Sequence, residues 1–341
     1  MFSSLVRVEF GLALVTIFTA TMVVLLARSA EQLKLMAKPG AHRQHTIETP
    51  MVGGLAIYAG LLLGVFLVDN TFIDLFPALF LLCAVGAIDD RYSLPSSLRF
   101  LAQGVAIYLM IIMTGVQLQT LGYLTPNHEV VLGQWSVPMT IFAAIGVINA
   151  VNMSDGHDGL AGSLVLVSLM ALLFSGANNE LILIAAAAIF GFLLFNVRIV
   201  RSRAKVFMGD AGSTMLGLLL AFLLIRQSQI EGSIWPVTAL WLLALPLIDA
   251  VAVLIVRPIR GKSPFTADRI HYHHQLIDRG LSVNSTIIVA LVLQIVLAAL
   301  GLWARSIRIA DHLQLIAFLC LFFIYLMSLL WFTRKKPRQA D

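Results

Sequence analysis

Apolar runs separated by short polar segments make up most of the chain. A transmembrane helix needs about 20 consecutive, mostly apolar residues. Eleven stretches approach that length, at residues 10–27, 51–68, 72–88, 100–116, 135–153, 159–176, 181–197, 211–225, 232–256, 281–304 and 313–333. The third and eighth are short, and the ninth contains Asp249. The pattern predicts an all-α polytopic membrane protein of about eleven transmembrane helices, built as a single domain over residues 1–341.

The segment near 115–136 departs from this pattern. Gly115, Gly122 and Gly133 punctuate it, and β-favouring residues such as those at 130–132 lie between them. Glycines that flank a β-favouring run are typical of a hairpin. The sequence therefore predicts a small β-hairpin near 115–136, on the outer surface of the membrane.

Composition agrees with a membrane protein and excludes an ordinary soluble one. Hydrophobic residues make up 59% of the chain and charged residues 12%, and the mean hydropathy is +0.92. Soluble domains average about 25% charged residues. We interpret the net charge of +5 as attraction to membrane lipids and phosphorylated ligands. Nucleic acid is not expected as a partner, because the sequence contains no motif for it.

The basic residues predict the orientation in the membrane. Lys and Arg fall in alternate loops between the predicted spans, except for Arg7, Arg226, Arg305 and Arg308. The side rich in Lys and Arg is cytoplasmic in membrane proteins. An odd number of spans then places the N-terminus outside and the C-terminus in the cytoplasm. The first span is expected to be a retained anchor, since positive charge and further spans follow it.

Two adjacent carboxylates, Asp89 and Asp90, end the third predicted span. Adjacent carboxylates repel each other, and both ionise readily only beside positive charge. Mg²⁺ prefers oxygen ligands and is usually held by one or two carboxylates together with substrate phosphates. The pair predicts a magnesium site, with Mn²⁺ as the alternative ion. The competing interpretation is a helix terminus paired with Arg91.

A second polar motif ends the fifth predicted span. Asn149, Asn152 and Asp155 recur at steps of three, which keeps them near one helical face, and Asp158 follows three residues later. Amide and carboxylate groups together can bind the polar edge of a base and hold a metal-bound phosphate. We therefore predict that this motif contributes to a nucleotide site.

A third motif, residues 207–213, opens the eighth predicted span. It contains Phe207, Asp210 and two glycines, and a basic run precedes it. An Asp at a helix N-terminus is an ordinary N-cap, so Asp210 alone indicates little. The glycines and the aromatic residue beside it make a ligand platform plausible.

A histidine cluster lies in the last long inside loop. His271, His273 and His274 follow the basic residues that begin at Arg257. Such a cluster is typical of a Zn²⁺ site or of imidazoles that contact phosphate. We favour phosphate, because no Cys or carboxylate completes a zinc set in the local sequence.

The distribution of polar groups separates an enzyme from a transporter. A divalent-cation or phosphate transporter would place charged groups near the midplane on broken helices. Here they crowd the predicted cytoplasmic side, and elsewhere the spans offer isolated polar groups such as Gln103 and Gln294. This favours an enzyme open to the cytoplasm. Asp249 is expected to face the interior of the helix bundle and to pair with a cation.

Taken together, these motifs resemble the polyprenyl-phosphate N-acetylhexosamine-1-phosphate transferases. The resemblance runs from Lys38-Pro39 through residues 52–54, 149–159, 207–213 and 263–274, in the order of that family. It implies transfer of a sugar 1-phosphate from a UDP-N-acetylhexosamine to undecaprenyl phosphate, with release of UMP. GlcNAc-1-phosphate is the expected group, and the reaction would begin synthesis of a cell-surface polysaccharide such as O-antigen. The implied location is the bacterial inner membrane.

The resemblance also implies roles for individual residues. Asp90 and Asp210 would bind the metal, and Asp89 and Lys38 the lipid phosphate. The catalytic carboxylates would be Asp89, Asp90, Asp155 and Asp158. The nucleotide and the sugar phosphate would be bound by Asn149, Asn152, Asp155, Phe207, Arg257, His271, His273 and His274.

Some alternatives stay open at this point. Another UDP-N-acetylhexosamine could be the donor, and the muramoyl-pentapeptide transferases share the acidic motifs, although their histidine loop reads differently. Close relatives often have a third Asp three residues after the acidic pair, where this chain has Ser93. An intramembrane homodimer is expected.

Overall fold

The computed structural model describes residues 2–37, 48–177, 179–197, 203–264 and 268–334. Lys38 lies outside the described residues. The α-helices in this part of the chain are α1 (Phe2–Ser29), α2 (Gly53–Leu67), α3 (Phe76–Tyr92), α4 (Ser96–Thr114), α5 (Ser136–Met153), α6 (Leu160–Phe174), α7 (Glu180–Asn196), α8 (Gly209–Gln229), α9 (Pro236–Leu242), α10 (Ala244–Ile259), α11 (Tyr272–Asp278), α12 (Val283–Ser306) and α13 (Asp311–Arg334). Short 3₁₀ helices cover Asn70–Leu75 and Gly133–Trp135. Two strands, β1 (Met36–Ala37) and β2 (Thr49–Pro50), form an antiparallel pair.

Each of the eleven apolar stretches coincides with a helix or with a bent helix pair. Within the described residues, seven helices are long and apolar enough to cross a membrane, and the pair α9–α10 would be an eighth span. The apolar helices α2, α6 and α7 are shorter. The predicted all-α membrane architecture is therefore confirmed, while the count of eleven spans and the orientation stay predictions.

The predicted hairpin is present as paired backbone without regular strands. The Leu121 N–H donates to the Val130 carbonyl at 2.9 Å, and the Leu132 N–H donates to the Gln119 carbonyl at 2.8 Å. Isolated antiparallel bridges accompany these bonds. The Gln229 side chain at the end of α8 accepts the Gln119 N–H at 2.8 Å. This amide fastens the segment to the helix bundle.

Small residues let α2 and α3 approach the first half of α8, and α8 is the most buried of the candidate spans. A Cβ added at Gly54 of α2 would lie 2.2 Å from the backbone nitrogen of Gly212. One added at Gly86 of α3 would lie 2.5 Å from Ala211 backbone atoms. Close backbone approach through small residues is common between helices in membranes. It brings the ends of α3 and α5 beside the start of α8, where the three polar motifs meet.

The ninth predicted span is broken between α9 and α10, with a bend of 85°. Pro246 has no N–H, so it cannot bond to the Leu242 carbonyl four residues earlier. Gln294 of α12 donates to that carbonyl at 2.8 Å and accepts the Leu245 N–H at 2.9 Å. The Ser168 hydroxyl also donates to the Leu242 carbonyl, at 2.6 Å. The polar side chain that looked isolated in the sequence thus satisfies the backbone at this break.

Candidate active site

Asp90 joins the end of α3 to the start of α8. Its Oδ1 accepts the Asp210 N–H at 3.0 Å, and its Oδ2 lies 3.3 Å from the Ala211 N–H. Free N–H groups and a partial positive charge at a helix N-terminus favour such a carboxylate. Gly209 has a φ of +74°, and a Cβ there would lie 2.5 Å from Asp90 Oδ2. A side chain at position 209 would therefore displace the Asp90 carboxylate.

Asn152 holds the Asp210 side chain from α5. Its Nδ2 donates to Asp210 Oδ1 at 2.7 Å and to Ser213 Oγ at 2.9 Å. The predicted nucleotide-binding amide thus uses its donor side to orient a predicted metal-binding carboxylate. Ser213, one turn into α8, was not among the predicted site residues.

Asp89 is buried beside the same cluster. Its Oδ1 accepts the Leu94 N–H at 2.6 Å, and its Oδ2 accepts from Arg99 at 3.3 Å. The Arg99 side chain is 40% exposed, so it remains accessible to an anionic ligand. Arg99 is a site residue that the sequence interpretation missed, because a single Arg in an inside loop was read only as an orientation signal. Ser93, with a φ of 53°, ends α3 through its N–H bond to the Asp89 carbonyl at 2.8 Å.

Asp155 lies in the turn between α5 and α6 and faces the other carboxylates. Burial and the neighbouring charges of Asp210 and Asp90 raise the pKa of the Asp155 carboxyl to about 8. A carboxyl group so placed gives up its proton readily only when a cation or a donor approaches. The fold therefore brings the predicted carboxylates together. Asp89, Asp155 and Asp210 line one cavity, and Asp90 bonds to the backbone of Asp210.

Asp158 and Asn196 fasten the loops around this cluster. Asp158 is 3% exposed, and its Oδ2 accepts the Ala204 N–H at 2.8 Å. Asn196, at the end of α7, accepts the Gly159 N–H at 2.7 Å and donates to the Val206 carbonyl at 2.8 Å. The structure thus gives Asp158 a role in loop geometry, and its predicted catalytic role stays a prediction. Asn196 was missed, since one Asn at a helix end carries no distinctive sequence signal.

Asn149 and Phe207 occupy different surroundings. Asn149 lines the cavity, and its Nδ2 donates to Gln103 Oε1 and to the Ile145 carbonyl, each at 2.8 Å. Phe207 is half-buried, and its main chain bonds to Pro50 and Gly53 at 2.8 and 3.0 Å. Phe207 is not among the residues that line the cavity. Its predicted stacking on a base therefore stays a prediction.

Arg257, at the end of α10, is held by three groups. One terminal nitrogen donates to the Pro264 carbonyl at 2.7 Å, and the other lies 3.2 Å from Asp268 Oδ1 and 3.4 Å from His271 Nε2. Only 6% of the Arg257 side chain is exposed, yet the residue lines the cavity. A guanidinium fixed in this way is pre-oriented for a phosphate.

His271 is in turn fixed by Asp249, which faces the interior as predicted. His271 Nδ1 lies 2.7 Å from Asp249 Oδ2. The other oxygen of Asp249 accepts the Tyr272 N–H at 3.1 Å and the Tyr325 hydroxyl. Because a carboxylate only accepts, Nδ1 carries the proton and Nε2 accepts from Arg257. The partner of Asp249 is thus the His271 imidazole, a neutral donor in this arrangement instead of the expected cation, and this imidazole also contacts Arg257.

His273 and His274 pack against the 154–159 turn, where they meet His157. The His157 ring centroid lies 4.9 Å from that of His273 and 5.0 Å from that of His274. Burial and His271 hold the pKa of His273 well below its usual range. Burial and His157 lower the pKa of His274 to about 3. Both imidazoles are therefore neutral near pH 7.

Most of these groups line one end of a cavity of about 920 Å³. The polar end contains Asp89, Arg99, Asp210 and Arg257. From there the cavity continues between α4, α5, α8, α9 and α10 to leucines of the 115–132 segment. Phe142 lines it and is 74% exposed, so the apolar part opens through the side of the bundle. The shape suits a molecule with an anionic head and a long apolar tail.

The carboxylates are compatible with a divalent metal ion. Asp90 accepts the Asp210 N–H, Asp89 and Asp210 both line the cavity, and Arg99 is the cation paired with Asp89. Each oxygen of Asp90 that accepts an N–H keeps a second lone pair. Two carboxylates with free lone pairs, next to space for phosphate oxygens, form the donor set that Mg²⁺ prefers.

Comparison with known proteins yields one family. Residues 72–228 match the family described as glycosyl transferase family 4. The chain is similar to the undecaprenyl-phosphate alpha-N-acetylglucosaminyl 1-phosphate transferase of Escherichia coli, with 35% identity over 94% of this chain and 91% of that protein. Proteins of the same name from Salmonella typhi and Haemophilus influenzae are 36% and 33% identical. These two alignments each cover 91% of this chain, and 87% and 92% of the respective relative.

Proposed function

Since the chain belongs to glycosyl transferase family 4, we propose that it transfers N-acetylglucosamine 1-phosphate from UDP-GlcNAc to undecaprenyl phosphate and releases UMP. One observation carries this proposal beyond the names of the relatives. Asp89, Asp155, Asp210 and two arginines line the polar end of a cavity whose remaining length is mostly apolar, and Asp90 bonds to the Asp210 backbone beside them. A soluble, anionic donor and a lipid-linked, anionic acceptor both find matching surfaces there.

The reaction joins two phosphates. An oxygen of the lipid phosphate attacks the β-phosphorus of the UDP-sugar, and a new P–O bond forms. The bond from that phosphorus to the bridging oxygen breaks, and the electron pair leaves with UMP. Because both reactants are anions, positioning and neutralisation of charge supply most of the catalysis.

The side chains divide this work between the two substrates. Arg99 reaches the mouth of the cavity beside Asp89 and would bind the lipid phosphate, while Arg257, held by His271 and Asp268, would bind the diphosphate of the donor. Asn152 keeps the Asp210 carboxylate in place. The lipid tail would lie along the apolar part of the cavity and leave through its opening beside Phe142.

Asp210, with Asp90 or Asp89, would hold Mg²⁺ in this proposal, and Mn²⁺ could take its place. When bound, the ion supplies positive charge to the diphosphate oxygens. The protein would cross the bacterial inner membrane eleven times, with α2, α6 and α7 as short spans. Its active site would face the cytoplasm, where UDP-sugars are made. The reaction would begin synthesis of a cell-surface polysaccharide.

The test is a reconstituted assay of the purified protein with undecaprenyl phosphate, Mg²⁺ and single UDP-sugars. We expect UMP and lipid-linked GlcNAc from UDP-GlcNAc, no product in EDTA, and no product from Asp210→Asn. Asp74→Asn changes an exposed carboxylate and should leave the rate unchanged. It is the matched control for loss of charge.

Three results would redirect the proposal. Turnover only with another UDP-N-acetylhexosamine keeps the chemistry and changes the sugar. Turnover only with UDP-MurNAc-pentapeptide assigns the chain to the muramoyl branch. Absence of product with every donor, from protein that is folded and monodisperse, contradicts the proposal.

A further inference from the structure

A three-histidine cluster lies beside the carboxylates and is separate from them. His157 comes from the turn between α5 and α6, and His273 and His274 come from the first turn of α11. One ring nitrogen from each of the three lies within 4.8 Å of the others. The two parts of the cluster are more than a hundred residues apart in the chain, so only the fold brings them together.

Ring nitrogens of His273 and His274 lack partners within the described part of the chain. His273 is 1% exposed, and neither of its ring nitrogens has a hydrogen-bond partner there. The Nδ1 of His274 is likewise buried without one. An unsatisfied buried polar atom is destabilising, so a ligand that supplies the missing contacts would stabilise this arrangement.

The absence of a side chain at Gly156 also leaves space for the His273 ring. A Cβ at Gly156 would lie 2.6 Å from His273 Nε2. The turn therefore needs glycine at this position to admit the imidazole. On the other side, His273 and His274 line the cavity, which leaves an approach for a further ligand.

We propose that His157, His273 and His274 bind a divalent transition metal, with Zn²⁺ as the expected ion. Three imidazole ligands and an open fourth position are a common zinc set. At Zn–N distances of about 2.0–2.1 Å, tetrahedral ligand nitrogens lie about 3.4 Å apart, so the present separations require small side-chain rotations. The sequence argued against zinc only because the local histidine loop lacked a further ligand, and His157 supplies it.

The site has a structural consequence that does not depend on which sugar is transferred. The metal ties the 154–159 turn, which contains Asp155, to α11 and the loop that holds Arg257. It would thereby fix the distance between the carboxylate cluster and the arginine. This zinc site is distinct from the magnesium site of the proposed function and uses none of its ligands.

The test measures metal directly, so its result is independent of transferase activity. The full-length protein is purified without chelators and with excess Mg²⁺, and its metal content is determined by mass spectrometry. Binding of Co²⁺ as a zinc probe is followed by its visible spectrum. We expect one Zn²⁺ per chain and a tetrahedral Co²⁺ spectrum in the wild type.

The variants distinguish loss of a metal ligand from general effects of mutation on the fold. Loss of one ligand should weaken Zn²⁺ binding by more than the 10–100-fold that loss of a partner outside the ligand shell typically costs. We expect this for His157→Ala and for the more conservative His157→Gln, each shown to be monodisperse. His128→Ala alters an exposed histidine of the 115–136 segment and should keep the metal. A wild type that binds neither Zn²⁺ nor Co²⁺, or a His157 variant with unchanged metal content, overturns the proposal.

Discussion

At the scale of single residues, Asp249 acts on the site indirectly, because it orients the side chain that contacts Arg257. It is 1% exposed and accepts from His271, Tyr272 and Tyr325. An Asn at this position would turn an amide donor toward one of these donors. His271 would lose its fixed orientation, and Arg257 would lose a partner.

We therefore expect Asp249→Asn to lower kcat/KM by about 10–100-fold, the usual cost of removing a group that orients a binding residue. Asp249→Glu should recover part of the loss, because it restores the acceptor. Initial rates with UDP-GlcNAc measure both effects. Asp278→Asn, which alters the more exposed pair with Arg269, is the control, and an equal loss there would contradict the positioning role.

The raised pKa of Asp155 predicts that the stability of the protein depends on pH. Its folded-state pKa of about 8 lies above the value of about 3.9 expected in the unfolded chain. The folded state therefore binds more protons between these values, and stability falls as pH rises through that window. We expect Asp155→Asn to raise the thermal midpoint in EDTA, by more at pH 8 than at pH 5. A gain that is equal at both pH values would contradict the raised pKa.

The residue types of the site could be predicted from sequence, but their partners could not. Asp89, Asp90 and Asp210 were identified because each carboxylate stands at one end of an apolar run. The contacts of Asn196, Gln103 and His157 join separate helices and loops, so no local pattern encodes them. Asp90 shows the difference well: the sequence indicated a metal ligand, and the structure adds that it caps a helix from another part of the chain.

At the scale of elements, the packing of α3 on α8 sets the geometry of the carboxylates. We expect Gly86→Ala to destabilise the protein by about 1–3 kcal/mol, the usual cost of overpacking, because its Cβ would meet the Ala211 backbone at 2.5 Å. Activity should fall as Asp90 moves away from α8. Gly104→Ala in α4 meets nothing within 4 Å and should be neutral or slightly stabilising. Thermal unfolding in detergent compares the two, and similar losses would contradict the packing argument.

The apolar pattern predicted where the helices lie along the chain, but it did not predict where a helix bends. The ninth stretch was predicted as one span, although Pro246 within it is a sequence signal for a break in the helix. The sequence could not indicate how a break would be tolerated in an apolar environment. That depends on Gln294 and Ser168, which come from two other helices.

At the scale of the whole molecule, the cavity joins the polar end to the far end of the bundle. Ala239 of α9 lines this cavity, as do leucines of the 115–136 segment. Trp at this position should obstruct the distal part of a long lipid tail and leave the polar end intact.

We expect Ala239→Trp to raise KM for undecaprenyl phosphate several-fold. The KM for UDP-GlcNAc and turnover of a short acceptor such as farnesyl phosphate should hardly change. The short acceptor is the internal control, since its tail ends before the obstruction. An equal loss with both acceptors would show that the tail does not follow this path.

The repaired break between α9 and α10 also bears on how the protein is made. Gln294 and Tyr325, which complete α10 and its Asp249, are synthesised after the helices they serve. During translation, the newly inserted α9–α10 pair lacks the acceptor for its Leu245 N–H and one donor to Asp249 until the last two helices are inserted. A chain ending at residue 281 should therefore be recognised by membrane quality-control proteases and be short-lived. Pulse-chase labelling would measure this, and co-expression of residues 282–341 as a separate chain should restore the lifetime.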